Sequence, residues 1–218
     1  MNEHLNSSLI PAIQWHEGML LSPQHLQQND LRIEQILNHH LTMISSYHWG
    51  IHHLKVDPIG LPDGLIRVLK LQAIMPDGLI VDYEAGREGS TPLEIDIRPF
   101  KPESMKDEVT IYLTIAEKVE GISPLVGEWA RYFSVEGAET KDINLNDNPI
   151  KIPRLVPRLL LQVSDKLPAR YIGFPLLKIA FRDETFVQAD YLPPCFRINQ
   201  NTSLWQACSE VCQKIREK

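Results

Sequence analysis

The sequence predicts a mainly β protein: an antiparallel β-sandwich with an N-terminal amphipathic helix ahead of it and the start of a C-terminal stem helix behind it. Three observations carry that reading. The block Pro-Asp-Gly-Leu-Ile occurs twice, at residues 62–66 and 76–80. Proline followed by aspartate and a glycine free to take positive φ is turn chemistry. Leu93-Glu94-Ile95-Asp96-Ile97-Arg98 alternates apolar and charged residues, and Val109, Ile111, Leu113 and Ile115 alternate with Thr110, Tyr112, Thr114 and Ala116; a period of two marks a half-buried strand. The 16 prolines of the 218-residue chain fall mostly between such segments, where a sheet tolerates them.

Taken in order, residues 1 to about 12 read as an extended arm. Ser22-Pro23 starts a helix: serine at the N-cap accepts from a free backbone N–H, and proline at the first helical position loses no needed donor. Leu26, Ile33, Leu37, Leu41 and Ile44 then step by seven, four, four and three, one apolar stripe among polar residues such as Gln24, Asn29, Arg32, Gln35 and Asn38. The helix is expected over about 23–46, its stripe resting on a supporting surface and its polar face toward water or a partner. Trp15 and Met19 are expected to plug the core beneath it, although tryptophan also suits an interface anchor. The region 47–80 reads as strand, turn, strand, turn, strand, with one strand over 65–75. Residues 86–92 and 99–107 are loops, 131–135 a strand, 139–153 a polar loop that could order on binding, and 158–163 and 176–182 later core strands. From Ser203, residues Leu204, Cys208, Val211 and Ile215 step by four, three and four, the spacing of a coiled-coil seam. The expected division is a sandwich domain over 1–200, helix included, and the start of a stem over 201–218, joined by the stiff Pro193-Pro194 connection.

Composition narrows the function. Apolar content of 43% against 23% charged residues fits a folded chain. A net charge of −6 and a pI near 5.7 argue against nucleic acid as the main partner. The 3 cysteines, Cys195, Cys208 and Cys212, cannot form a complete disulfide framework within one chain, which points to a reducing compartment. No apolar run approaches the roughly 20 residues that span a bilayer, so a cytoplasmic protein without direct membrane insertion is expected.

Signs of catalysis are weak. His48 and His52 are four apart, but Trp49-Gly50 disfavours a helix there and no third ligand follows. His16-Glu17 suggests acid–base chemistry, yet no nucleophile motif accompanies it. Cys208 and Cys212 read as small thiols on one helix face, and Gly86-Arg87-Glu88-Gly89-Ser90 as a solvated loop that lacks the lysine and helix of a phosphate site. No metal, cofactor or catalytic residue is expected.

The run Trp15, Glu17-Gly18-Met19, Leu20-Leu21, Pro23-Gln24-His25, Leu26, Gln27-Gln28 resembles the N-terminus of the TssK (ImpJ/VasE) family of type VI secretion baseplate proteins. Members open with Trp, then Glu-Gly-Met and an apolar pair, then Pro-Gln-His, an apolar residue and Gln-Gln. Trp49-Gly50 with Pro76-Asp77-Gly78, and residues 174–182 with Tyr191-Leu192-Pro193-Pro194, also look like the family. Leu26 stands where Phe is expected and His16 where small polar residues are usual, and the family continues into a helical stem and head that this chain stops short of.

The resemblance implies structural work: a trimeric protein similar to phage receptor-binding proteins, linking the wedge proteins TssF and TssG to the membrane complex of TssJ, TssL and TssM at the cytoplasmic face of the inner membrane. This N-terminal region would face the wedge, with Trp15, Glu17, Met19, Leu20, His25, Gln27, Gln28, Asp30 and Glu34 as partner-binding residues. Leu204, Cys208, Val211 and Ile215 would join the chains in the full-length trimer, while a stub this short is expected to be monomeric or only weakly associated. Contact with the membrane complex would fall to the C-terminal part. The alternatives are a carbohydrate- or ligand-binding sandwich with Tyr112, Tyr132 and Phe133 as its aromatic platform, and a metallo-hydrolase built on His16, Glu17 and His25.

Overall fold

Both Pro-Asp-Gly blocks fold as tight turns. Gly64 N–H donates to Leu61 O and Gly78 N–H to Met75 O, each at 2.9 Å, and both glycines have positive φ (80° and 84°). In the first turn a Cβ on Gly64 would lie 2.7 Å from Arg98 Cγ, so only glycine fits. The strands they connect are β1 (Gly50–Val56), β2 (Leu65–Ile74) and β3 (Ile80–Glu84), an antiparallel sheet in the order β1-β2-β3, with β4 (Glu94–Asp96) pairing the start of β2. The computed structural model describes residues 9–87, 89–100, 108–119, 122–196 and 203–217. Parts of the expected arm, of the 99–107 loop and of the sandwich-to-stem connection lie outside these.

The second sheet is antiparallel in the order β10 (Leu160–Val163), β5 (Glu108–Ala116), β11 (Tyr171–Arg182), β12 (Thr185–Gln188). The apolar faces of the two sheets share one core, with Ile66, Val68, Leu71 and Met75 from the first region and Ile111, Leu113, Ile115, Phe174 and Ile179 from the second, all essentially buried. Two short ribbons complete the unit: β6 (Tyr132–Val135) with β9 (Arg154–Pro157), and β7 (Glu139–Thr140) with β8 (Ile150–Lys151). The chain divides into two units, residues 1–48 and 49–218. The first holds helix α1 (Pro23–Ile44), the second the sandwich and helix α2 (Ser203–Arg216).

Local irregularities follow from pairing. In β2 the buried residues switch from even (Ile66, Val68) to odd (Leu71, Ala73). Lys55 pairs Lys70 and Val56 pairs Val68, so Leu69 is an extra residue, a bulge that moves the inward face by one. Pro175 sits inside β11, which runs five residues further upstream than the sequence predicts. It is tolerated because the β5 register shifts between Pro175 and Leu177 and β12 pairs only residues 179–182. The residues 139–153, expected as one polar loop, contain the β7–β8 ribbon, and Asp142 Oδ1 accepts from the Asn144 and Leu145 N–H groups between the two strands. Pro193-Pro194 is more than a linker: Ile51 N–H donates to Pro194 O (2.8 Å) and Phe196 N–H to Ile51 O, pinning this segment to β1.

One buried charge ties the second turn to the second sheet. Arg131 is 1% exposed. Its guanidinium donates to Ala116 O at the end of β5 (2.5 Å), to the Tyr132 hydroxyl and to the Asp77 carboxylate in the β2–β3 turn. Asp77 Oδ1 in turn accepts from Leu79 N–H. Removing one partner of such a pair strands the other's charge. Arg131→Met is therefore expected to lower stability by about 3 kcal/mol, and Arg131→Met with Asp77→Asn by clearly less than the sum of the single losses; urea unfolding of the four proteins checks this. Gly173 is a second strict position, since a Cβ there would lie 2.1 Å from Leu113 O. Gly173→Ala is expected to cost about 1–3 kcal/mol or more by forcing β11 away from β5, read as a lower urea midpoint.

Candidate functional site

The segment ahead of α1 is held by the helix's own first turn. Gly18 (φ 76°) allows the bend in which Met19 N–H donates to His16 O. Ser22 is the N-cap, and the residue three positions on reaches back: His25 Nδ1 accepts from Ser22 N–H (3.1 Å) and lies 2.9 Å from Ser22 Oγ. This is a capping box with histidine where glutamate or glutamine is usual. The Trp15 ring stands over it, 6.0 Å from the His25 ring. Further along, the polar face of α1 straps the arm: Ile10 N–H donates to Gln35 Oε1 (2.9 Å) and Arg32 Nη1 to Ile10 O (3.4 Å).

These contacts correct two expectations. Trp15 does not plug a core, being 50% exposed with its ring against His25; no residue of α1 is buried. Leu20 and Leu21 are exposed, and so are Leu26, Ile33, Leu37, Leu41 and Ile44, the whole apolar stripe. The polar face, expected to be open, is partly used by the arm.

The proposed partner-binding residues therefore separate. Trp15 and His25 are together, Met19 is half-buried, and Glu17, Leu20, Gln27, Gln28, Asp30 and Glu34 are exposed, Asp30 and Glu34 on the side of α1 away from His25. In α2, Leu204 and Cys208 are half-buried, while Val211 and Ile215 are exposed.

The aromatic platform needed for a carbohydrate site is not present as such. Tyr112, Tyr132 and Phe133 are half-buried, the Phe133 ring carries the Arg158 guanidinium and Tyr132 that of Arg131. His52 lies on strand β1, so its four-residue spacing from His48 does not place the two on a helix face. Among the described residues no group of three potential ligands could hold a metal, and no helix is long and apolar enough to cross a membrane.

A second surface was not singled out in the sequence. A cleft of about 290 Å3 runs along the outer edge of β3, with Leu155, Val156, Pro157 and Leu159 opposite. Ile80 and Leu155 are exposed beside it. Arg87 crosses its rim, donating to Asp82 O (3.2 Å), Asp82 Oδ2 (2.9 Å) and Glu84 Oε2 (3.2 Å). The alternation of Ile80, Asp82 and Glu84 with buried Val81 and Tyr83 was visible in the sequence; that the strand ends a sheet was not.

Residues 25–218 match the family model described as bacterial type VI secretion, EvfL, ImpJ, VasE. The type VI secretion system baseplate component TssK1 of Pseudomonas aeruginosa is 28% identical over 193 residues, 84% of this chain and 42% of that protein. The chain thus spans less than half the length of this relative. A crystal structure of TssK is similar with a TM-score of 0.69 at 23% identity, covering 85% of this chain and 42% of the other. The TssK-TssF-TssG baseplate subcomplex seen by cryo-electron microscopy contains a chain similar with a TM-score of 0.78 at 18% identity, covering 95% and 70%. At these identities the two structures establish the fold.

The capping box yields a test. His25→Ala leaves the Ser22 N–H without its acceptor, a loss of about 1 kcal/mol at the helix start. Hydrogen exchange of the first turn of α1 is expected to speed up by about fivefold, with the sandwich amides unchanged.

Proposed function

We propose a function from one premise: the chain belongs to the bacterial type VI secretion family of ImpJ and VasE, whose model it matches over residues 25–218. It is the N-terminal part of a baseplate component that docks onto the wedge proteins TssF and TssG, and its work is structural. The full-length protein trimerises through the helix that α2 begins, with Leu204, Cys208, Val211 and Ile215 at the seam, and links the baseplate to the membrane complex of TssJ, TssL and TssM at the cytoplasmic face of the inner membrane. The sandwich over 1–200 and the stem from 201 act as separate pieces of that connector.

The observation that carries the docking role is the apolar stripe of the first unit. A 22-residue helix with no buried residue exposes five large apolar side chains in one stripe, and Trp15, Leu20 and Leu21 are exposed just ahead of it. Water is a poor permanent neighbour for such a surface, and contiguous apolar exposure of this kind marks interaction sites. In this reading Trp15, with His25 against it, is the aromatic anchor, and Glu17, Met19, Leu20, Gln27, Gln28, Asp30 and Glu34 are the further partner-binding residues of the same unit.

The test is co-purification of the chain with TssF and TssG from the same bacterium. The wild type is expected to be retained. Trp15→Ala and Leu37→Glu are each expected to weaken retention at least tenfold, roughly the effect of losing an interface anchor, and Asp30→Lys with Glu34→Lys to weaken it further, all with unchanged circular dichroism. Failure of the wild type, and of a version fused to a trimeric coiled coil, would overturn the assignment in favour of the ligand-binding sandwich.

A further inference from the structure

Edge strands carry unpaired peptide groups, and β3 is an edge strand. Its register decides which groups are free. Met75 N–H donates to Leu79 O and Ala85 N–H to Leu69 O, while Leu71 pairs Tyr83 and Ala73 pairs Val81. Hydrogen-bonded and non-hydrogen-bonded pairs alternate in an antiparallel ladder. The peptide groups of Val81 and Tyr83 therefore face β2, and those of Ile80, Asp82 and Glu84 face the cleft.

Two of the outward carbonyls are taken, both by Arg87. Its backbone N–H donates to Glu84 O (3.2 Å) and its guanidinium to Asp82 O (3.2 Å), with further contacts to both carboxylates. The guanidinium holds the Asp82 carboxyl below its usual range, helped by the Gln72 amide. An arginine guarding an edge prevents indiscriminate pairing. A guard alone, however, needs no apolar trough beside it, and here exposed Ile80 and Leu155 flank a floor formed by Leu93.

We propose that β3 is a strand-docking edge: an extended segment of the partner protein adds to it, displaces the Arg87 side chain, and sets its own arginine or lysine against Asp82 and Glu84 while its apolar residues enter the trough at Ile80 and Leu155. Arg87 occupies the place of that side chain in the free chain. Main-chain bonds to Ile80, Asp82 and Glu84 supply affinity, and the two carboxylates select a basic residue in register, as in other strand-addition complexes. The inference rests on the wedge-docking reading and adds a second contact to it, separate from α1.

The experiment uses the whole chain with the TssF–TssG complex as the probe. Hydrogen exchange at the amides of Ile80, Asp82 and Glu84 is expected to slow at least about tenfold on binding. Asp82→Pro removes an outward N–H without touching the β2 ladder and is expected to abolish that protection and weaken binding, whereas Asp82→Asn keeps the protection. Arg87→Ala frees the Asp82 carbonyl and both carboxylates, leaving only the backbone contact to Glu84 O, and is expected to tighten binding by up to about fivefold. Binding of the wild type with the three amides unprotected would overturn this proposal while leaving wedge docking intact. Protection that depends on concentration of the chain alone would overturn it in favour of self-pairing, and no binding of the wild type or of its version fused to a trimeric coiled coil would overturn both readings. If Asp82→Pro fails to fold, the wild-type exchange and Arg87→Ala decide.

Discussion

The sandwich depends on Arg131. A guanidinium that is 1% exposed is costly to desolvate, and the cost is offset only when its donors are matched. Here they meet the end of β5 at Ala116 O, the Tyr132 hydroxyl and the turn at Asp77. The three acceptors come from the first sheet's β2–β3 connection, from the second sheet and from the start of the β6–β9 ribbon. Arg131 N–H and Tyr132 N–H also both donate to Pro124 O (2.8 and 3.0 Å), so the backbone at this point is fixed as firmly as the side chain. Apolar burial holds the sheets together without direction; the arginine sets which turn lies over which strand end. It also gives Asp77 two tasks, since the same carboxylate shapes its own turn through Leu79 N–H.

The contrast with α1 is physical. The sandwich buries its apolar face between two sheets, while α1 leaves its stripe open and retains its shape through local means: the Ser22–His25 box, Pro23 in the first turn, and an arm strapped by Arg32 and Gln35. Helices of this length are stable in proteins mainly through packing of an apolar face. A helix of 22 residues without a buried side chain therefore lacks its usual source of stability. The stripe and the exposed Trp15 offer apolar surface that the fold leaves unused, the kind of surface that marks interaction sites.

Local chemistry was legible in the sequence, and long-range pairing was not. Both Pro-Asp-Gly turns, the helix start at Ser22-Pro23 and the alternating β5 could be read because each is decided within a few residues. Leu69 as the extra residue of a bulge could not be read, since only the partner strand reveals it. The five residues of β11 ahead of the expected 176–182 strand, Pro175 among them, pair with β5 through a register shift that only the partner strand shows. The β7–β8 ribbon was hidden in a run that composition marks as loop. His25 was legible as a helix residue but not as a cap, because histidine is rarely found at that position of the box. Of the candidate surface, Trp15 and Leu20 were named as partner-binding residues only through the family resemblance, while the residues themselves pointed Trp15 to a core; an apolar stripe reads the same in sequence whether it is covered or bare.

The β3 edge shows why a docking surface must also resist wrong partners. Its outward side chains include Asp82 and Glu84, so a second copy approaching edge to edge would set like charges opposite one another, which is destabilising. The chain as a whole carries 28 acidic against 22 basic residues, which adds a mild general repulsion between copies. Arg87 lowers the local charge without opening the edge, because its guanidinium sits on the carbonyl that an intruding strand would need first. A segment that brings its own cation can replace that arginine with little electrostatic loss, whereas one that brings none must leave two carboxylates without their partner. Selection at this edge therefore operates through what each intruder leaves unpaired, and the same carboxylates that would meet like charges in a second copy define the chemistry of the partner proposed for it.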